Sequence, residues 1–152
     1  MKITTKVFGE IEVDESKMIT FVQGIVGFPD LKNFMLIHDI EKPNGISWMQ
    51  SIEEPAFAMP VLDPLVIMND YNPSIEDELL KPLGEVNADN MLVLVTVTVP
   101  KEIEKMTVNL RAPFIINSET RKASQLIIED DKYPVKYPIY DILKSAKEKA
   151  GE

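Results

Sequence analysis

The sequence predicts a mainly β domain, a small antiparallel barrel-like structure with one short internal helix and a C-terminal helix. Three observations lead there. Short apolar runs recur along the chain and are separated by Pro, Gly and Asn/Asp turns, giving about nine to eleven strands at barrel or sandwich spacing. The strongest run, Met91–Val99, ends with Val alternating with Thr96 and Thr98, the pattern of a strand with one wettable face. Only two stretches carry helical signals.

Taken in order, Lys2–Phe8 and Ile11–Asp14 flank Gly9-Glu10 as a hairpin, and Met18–Val22 follows as a strand. Gln23–Pro29 contains Gly24 and Gly27 and reads as a turn-rich connection. Phe34–His38 and Ile46–Gln50 are strands joined through Pro43-Asn44-Gly45. Ala56–Leu62 is strand-like but carries Pro60, which predicts an edge or a bulge because proline cannot donate to a ladder.

The first half of Met91–Val99 is apolar at both parities. A polar turn, Lys101–Lys105, leads into Met106–Leu110 and Ala112–Asn117. Pro113 makes this stretch an edge, a bend or the meeting point of two strands. Ala123–Ile128 is the last clear strand.

The internal helix is expected from Ser74 as cap to about Leu83. Glu76, Asp77 and Glu78 complement its positive end, Pro82 distorts its last turn and Gly84 stops it. In the C-terminal helix, Ile139, Ile142, Leu143, Ala146 and Ala150 repeat at helical spacing, with Lys144, Lys147 and Lys149 elsewhere on the wheel. The expected organisation is a β domain over residues 1–138 and an amphipathic helix with a charged tail over 139–152.

Composition narrows function. At 152 residues, 45% apolar and 27% charged, the chain can build a core as one domain. Its 25 acidic and 16 basic side chains leave a net charge of −9. That is a poor footprint for direct nucleic-acid binding and a favourable one for a basic protein. Cysteine is absent, which excludes disulfides and thiolate chemistry. The N-terminus has no apolar leader segment and no run is long enough to span a bilayer, so the expectation is a cytoplasmic protein. Without a coiled-coil heptad, it is expected to be a monomer when free.

Enzymatic chemistry finds few parts. His38 is the single histidine, no serine sits in a nucleophile elbow, and Gly24-x-x-Gly27 lacks the Lys-Ser/Thr ending of a phosphate loop. Glu129-Asp130-Asp131 permits a hard-cation reading, and with His38 a metal-dependent hydrolase, but a solvated turn between Ile128 and Tyr133 explains the cluster. Neither a metal nor a cofactor is expected. The eight methionines show no stripe and read as core filling.

The segment Thr107–Asn117 is the most distinctive. It is an apolar run closed by Asn109 and Asn117 and broken by Pro113, with Gln125 beyond it. Phe21–Phe28 (FVQGIVGF), Gln50-Ser51, Asp63-Pro64 and Asp70-Tyr71 precede it in order. Together these pieces, spread from about Ile3 to Tyr137, resemble the flagellar assembly factor FliW family. The charged tail Lys144–Glu152 matches no motif of that family.

The resemblance implies a non-enzymatic regulator with a barrel-like β fold. Such proteins bind flagellin and the translational regulator CsrA, and they antagonise CsrA repression of flagellin mRNA by an allosteric, non-competitive contact. A narrower alternative is a dedicated flagellin chaperone without repressor binding. The candidate partner-binding residues are Phe28, Gln50, Ser51, Tyr71, Asn109, Asn117 and Gln125, with Phe28 and Tyr71 as surface anchors; core burial is the alternative for Phe28, and capping of strand ends the alternative for Asn109, Asn117 and Gln125. Gly24, Gly27, Pro64, Leu110 and Pro113 are expected to fix backbone shape.

Overall fold

A computed structural model describes residues 2–6, 8–38, 46–87, 89–130 and 132–149. Its strands are β1 (Lys2–Thr5), β2 (Gly9–Glu12), β3 (Ile19–Phe21), β4 (Asn33–His38), β5 (Ile46–Ser51), β6 (Ala58–Leu62), β7 (Met91–Thr98), β8 (Thr107–Val108), β9 (Phe114–Asn117), β10 (Lys122–Gln125) and β11 (Tyr137–Pro138). The α-helices are α1 (Asp77–Leu80) and α2 (Tyr140–Lys149).

Seven strands close into a barrel in the order β3-β4-β5-β6-β7-β9-β10, with β10 returning to β3. Strands that only alternate in direction cannot close an odd ring, so one pair must run parallel. That pair is β10–β3, with Lys122 opposite Thr20 and Ala123 opposite Phe21. Strands β8 and β11 form a short branch from β7, and β1–β2 is a separate hairpin.

Two apolar clusters explain why β7 is apolar at both parities. Leu94 faces the barrel interior, where Phe21 lies edge-on to Phe34 and to Phe114 at centroid distances of 5.4 and 4.9 Å. Val95 and Val97 face outward into a second cluster with Val108, Leu110, Tyr71, Tyr133 and Ile139. Ile142 and Leu143 of α2 pack on that cluster, so the start of the helix docks on the barrel. The expected alternation beyond Val95 holds: Val97 is buried and Thr98 exposed.

The Thr107–Asn117 stretch is two strands. Five residues, Asn109–Pro113, separate Val108 from Phe114, while only Val95 and Thr96 separate their partners on β7. The surplus forms a bend, held by Asn109 Oδ1 accepting the Arg111 N–H at 3.0 Å.

Several local expectations are corrected. The first hairpin reverses between Thr5 and Gly9, not at Gly9-Glu10. Gly9 is already paired with Thr5 and takes φ 68°, while the Thr5 hydroxyl donates to its carbonyl. Strand β6 is not a sheet edge, for it pairs with both β5 and β7. Ser74 does not cap the internal helix. One α-turn begins at Asp77 and tightens into a 3-10 turn, Lys81–Leu83, where Pro82 supplies no N–H, and Gly84 ends it at φ 89°. The Pro43-Asn44-Gly45 turn lies outside the described residues.

Candidate functional site

Pro60 sits inside the sheet without spoiling it, and the backbone directions show how. Ser51 N–H donates to the Phe57 carbonyl, so alternate residues of β6 from Phe57 onward face β5. Ala58 and Pro60 therefore turn their backbone groups the other way, toward β7. On that side the recorded register is Leu62 opposite Val95 and Val61 opposite Thr96. The next step sets Pro60 opposite Val97, and proline has no N–H to offer. Asn109 N–H takes the Thr96 carbonyl on the β8 side, so the Val97 carbonyl points toward β6, where its ladder donor is the one proline lacks.

A cleft of about 260 Å³ opens where the ladder stops. Ala58, Met59 and Pro60 form one wall, and Thr96, Val97 and Thr98 the other. Phe114 reaches it from β9. The loop after β3 covers it with Ile25, Val26 and Phe28. That loop is a tight reversal in which Ile25 and Phe28 bridge each other, with Gly24 at φ 72° and Gly27 at φ 87°. A Cβ on Gly24 would overlap the Pro29 backbone carbonyl, so the close turn requires glycine there.

Gln125 ties the loop down. Its Oε1 accepts the Val26 N–H at 2.8 Å, and its Nε2 donates to the Ala112 carbonyl at 3.2 Å. Val26 remains 60% exposed and Phe28 48% exposed. Phe28 leans on Phe57 at 4.9 Å between centroids, which joins this loop to the one entering β6.

Of the residues expected to meet a partner, Phe28 and Gln125 converge on this cleft, and the others are dispersed. Tyr71 is not a surface anchor. It is buried, its hydroxyl donates to the Leu110 carbonyl at 2.7 Å, and its ring meets Tyr133 edge-on. Burial raises its phenol above the ordinary range, and neighbouring Tyr133 adds to the shift. Asn117 is buried and uses its whole amide: Nδ2 donates to the carbonyls of Leu83 and Glu85, and Oδ1 accepts from Glu119 and Thr120. Ser51 is buried, its hydroxyl accepting from Glu54 N–H. Gln50 is buried too; its Nε2 donates to the carbonyls of Ser51, Pro55 and Phe57, while its Oε1 has no partner. Asn109 is half-buried in the bend.

Among the residues expected to set backbone shape, Leu110 is fully buried, and Pro64 opens a 3-10 turn capped by Asp63. Pro113 is buried in the bend and gives its carbonyl to Leu126 N–H.

Sequence reasoning missed Val26, Phe57 and the paired role of Pro60 and Val97. Val26 looks like an ordinary loop residue and Phe57 like one more apolar position of the Ala56–Leu62 run, and only the register reveals what Pro60 leaves open. Among the described residues no group of three His, Asp or Glu side chains is placed to hold a metal ion. Asp130 instead closes a turn, its Oδ1 accepting Lys132 N–H. The His38 side chain and Asp131 lie outside the description. No helix among the described residues is long and apolar enough to cross a membrane.

Comparison with known proteins adds a whole-chain likeness. The family model described as FliW protein matches residues 2–139. The flagellar assembly factor FliW of Lachnospira eligens is 52% identical over 147 residues, covering 95% of this chain and 97% of its own. That of Lachnoclostridium phytofermentans is 46% identical over 155 residues, covering 100% and 99%. A solved structure described as the crystal structure of the flagellar assembly factor FliW has a TM-score of 0.84 at 31% identity, covering 92% of this chain and 97% of that one.

Proposed function

This chain belongs to the FliW family, and from that premise we propose that it is a flagellar assembly factor that works in the cytoplasm by binding, without catalysis. Its two partners are flagellin and a CsrA-type translational regulator. Flagellin occupies the chain when it accumulates. When flagellin is exported, the chain captures the regulator and relieves repression of flagellin mRNA.

The observation that carries this reading is the likeness to proteins named flagellar assembly factors over essentially the full length of both chains. Charge supports the regulator half. A chain at −9 attracts a protein that must present Lys and Arg to RNA. The same field repels RNA phosphates near the complex, so inhibition does not require the chain to occupy the RNA-contact surface.

The test is a pull-down of the regulator by the purified chain, followed by titration with flagellin. Micromolar capture of the regulator and its release by flagellin are expected. Failure of both partners to bind sinks the proposal. A gel shift of the regulator on flagellin leader RNA separates it from the narrower flagellin chaperone, because a chaperone leaves the shift unchanged.

A further inference from the structure

We propose that the β6–β7 cleft is a docking site for an extended protein segment carrying one bulky apolar residue flanked by Lys or Arg. The inference rests on the binding reading above and assigns it a place.

Size limits the occupant first. About 260 Å³ lies below the range of roughly 300–1,000 Å³ that holds drug-sized ligands. Neither His, Asp nor Glu lines the cleft, so it lacks the imidazole and carboxylate ligands that metal sites commonly use. That volume is on the scale of a single large apolar side chain, set among Val26, Phe114 and the Val97 backbone.

Backbone chemistry selects an extended chain. Ala58 presents an N–H and a carbonyl toward the cleft where the recorded β6–β7 register has already ended, and the Val97 carbonyl lacks its ladder donor. These groups match the alternating donors and acceptors of a strand, the requirement for docking by β-addition.

Charge selects the flanks. The two loops joined by Phe28 and Phe57, residues 23–31 and 52–57, carry exposed Asp30, Glu53 and Glu54 and no Lys or Arg. Lys32 follows just outside. An extended segment crossing these loops gains from Lys or Arg beside its apolar anchor.

The probe is a short fluorescein-labelled peptide with Leu at its centre and alternating Lys and Val on both sides, added to the full chain. A matched peptide replaces every Lys with Glu. The lysine peptide is expected to bind at micromolar concentration and the glutamate peptide about tenfold more weakly or worse. Val26→Asn, an uncharged change at an exposed rim position, should weaken the lysine peptide about tenfold, while Leu65→Asn, at an exposed apolar residue beyond the far end of β6, leaves it within about twofold. In the wild-type chain the Ala58 amide should gain hydrogen-exchange protection on peptide addition. Equal binding of both peptides, indifference to Val26→Asn, or an unprotected Ala58 amide overturns the assignment.

Flagellin and the regulator are tested beside the peptides. Whole partners that bind while the peptide signature is absent refute the cleft and leave the proposed function standing. Whole partners that fail on the wild-type chain refute that function, and the peptides still decide the cleft.

Discussion

Gln125 Oε1 accepts the Val26 N–H at 2.8 Å, a bond between residues 99 positions apart. It fixes the loop over the cleft to the strand that closes the barrel. Gln125→Ala should remove both this bond and the one to Ala112, at a cost of about 1–2 kcal/mol. The expected signature is faster hydrogen exchange at the Val26 amide, while the barrel amides of Phe21 and Ile116 speed up by no more than the global loss of stability. Gln125→Glu keeps an acceptor for Val26 but turns a carboxylate toward the Ala112 carbonyl, so it should restore Val26 protection without restoring full stability.

The two glycines of the same loop should respond unequally. Both sit at positive φ, which costs a residue with a Cβ about 1–2 kcal/mol. At Gly27 that is the whole penalty, since a Cβ there meets open space. At Gly24 the Cβ would also drive into the Pro29 carbonyl, and the backbone has to move. Gly24→Ala is therefore expected to lose more than about 2 kcal/mol and Gly27→Ala less. Paired denaturant titrations decide, and equal losses would refute the close-approach explanation.

Tyr71 gives a prediction in pH. Burial raises its phenol above the ordinary 10.0, so the folded chain holds that proton more tightly than the unfolded chain does. The resulting stability is fully present below the ordinary value and is lost as pH rises from there toward the folded value. Stability followed from about pH 8 to about pH 11 should fall at the alkaline end, and Tyr71→Phe should flatten that fall. At neutral pH the same change deletes the bond to the Leu110 carbonyl and should cost about 1–3 kcal/mol.

The fold was legible where side-chain pattern and backbone role coincide. Val95 to Thr98 announced a strand with one wettable face, and Pro113 announced a break between two strands. Legibility failed where a role depends on the partner across a ladder. Pro60 read as an edge marker because proline lacks a donor, yet its missing N–H points at a gap, and β6 stays paired on both sides. Tyr71 read as a surface anchor because aromatic side chains concentrate binding energy. Its burial comes from Tyr133 and Leu110, far away in sequence. The two-residue strand β11 carries too short a pattern to be seen at all.

Gln50 and Asn117 are both buried amides, and the count of their bonds predicts opposite tolerance. Gln50 Oε1 is desolvated without a partner, a cost already present in the native state. Two of the carbonyls that receive its Nε2 keep a second donor, Lys6 N–H on Pro55 and Ser51 N–H on Phe57. Replacing Gln50 by the similarly shaped Met relieves the orphan oxygen while removing bonds that are partly duplicated, so the net change should stay within about 1 kcal/mol. Asn117 has no such slack. Asn117→Leu strips the Glu119 and Thr120 N–H groups of the acceptor that shapes the turn into β10, and it should cost about 3 kcal/mol or more. Thermal and denaturant melts of the two variants measure the difference. If Gln50→Met proved the more damaging, the side-chain oxygen would have to have a partner in solution, and the bond count at this site would be wrong.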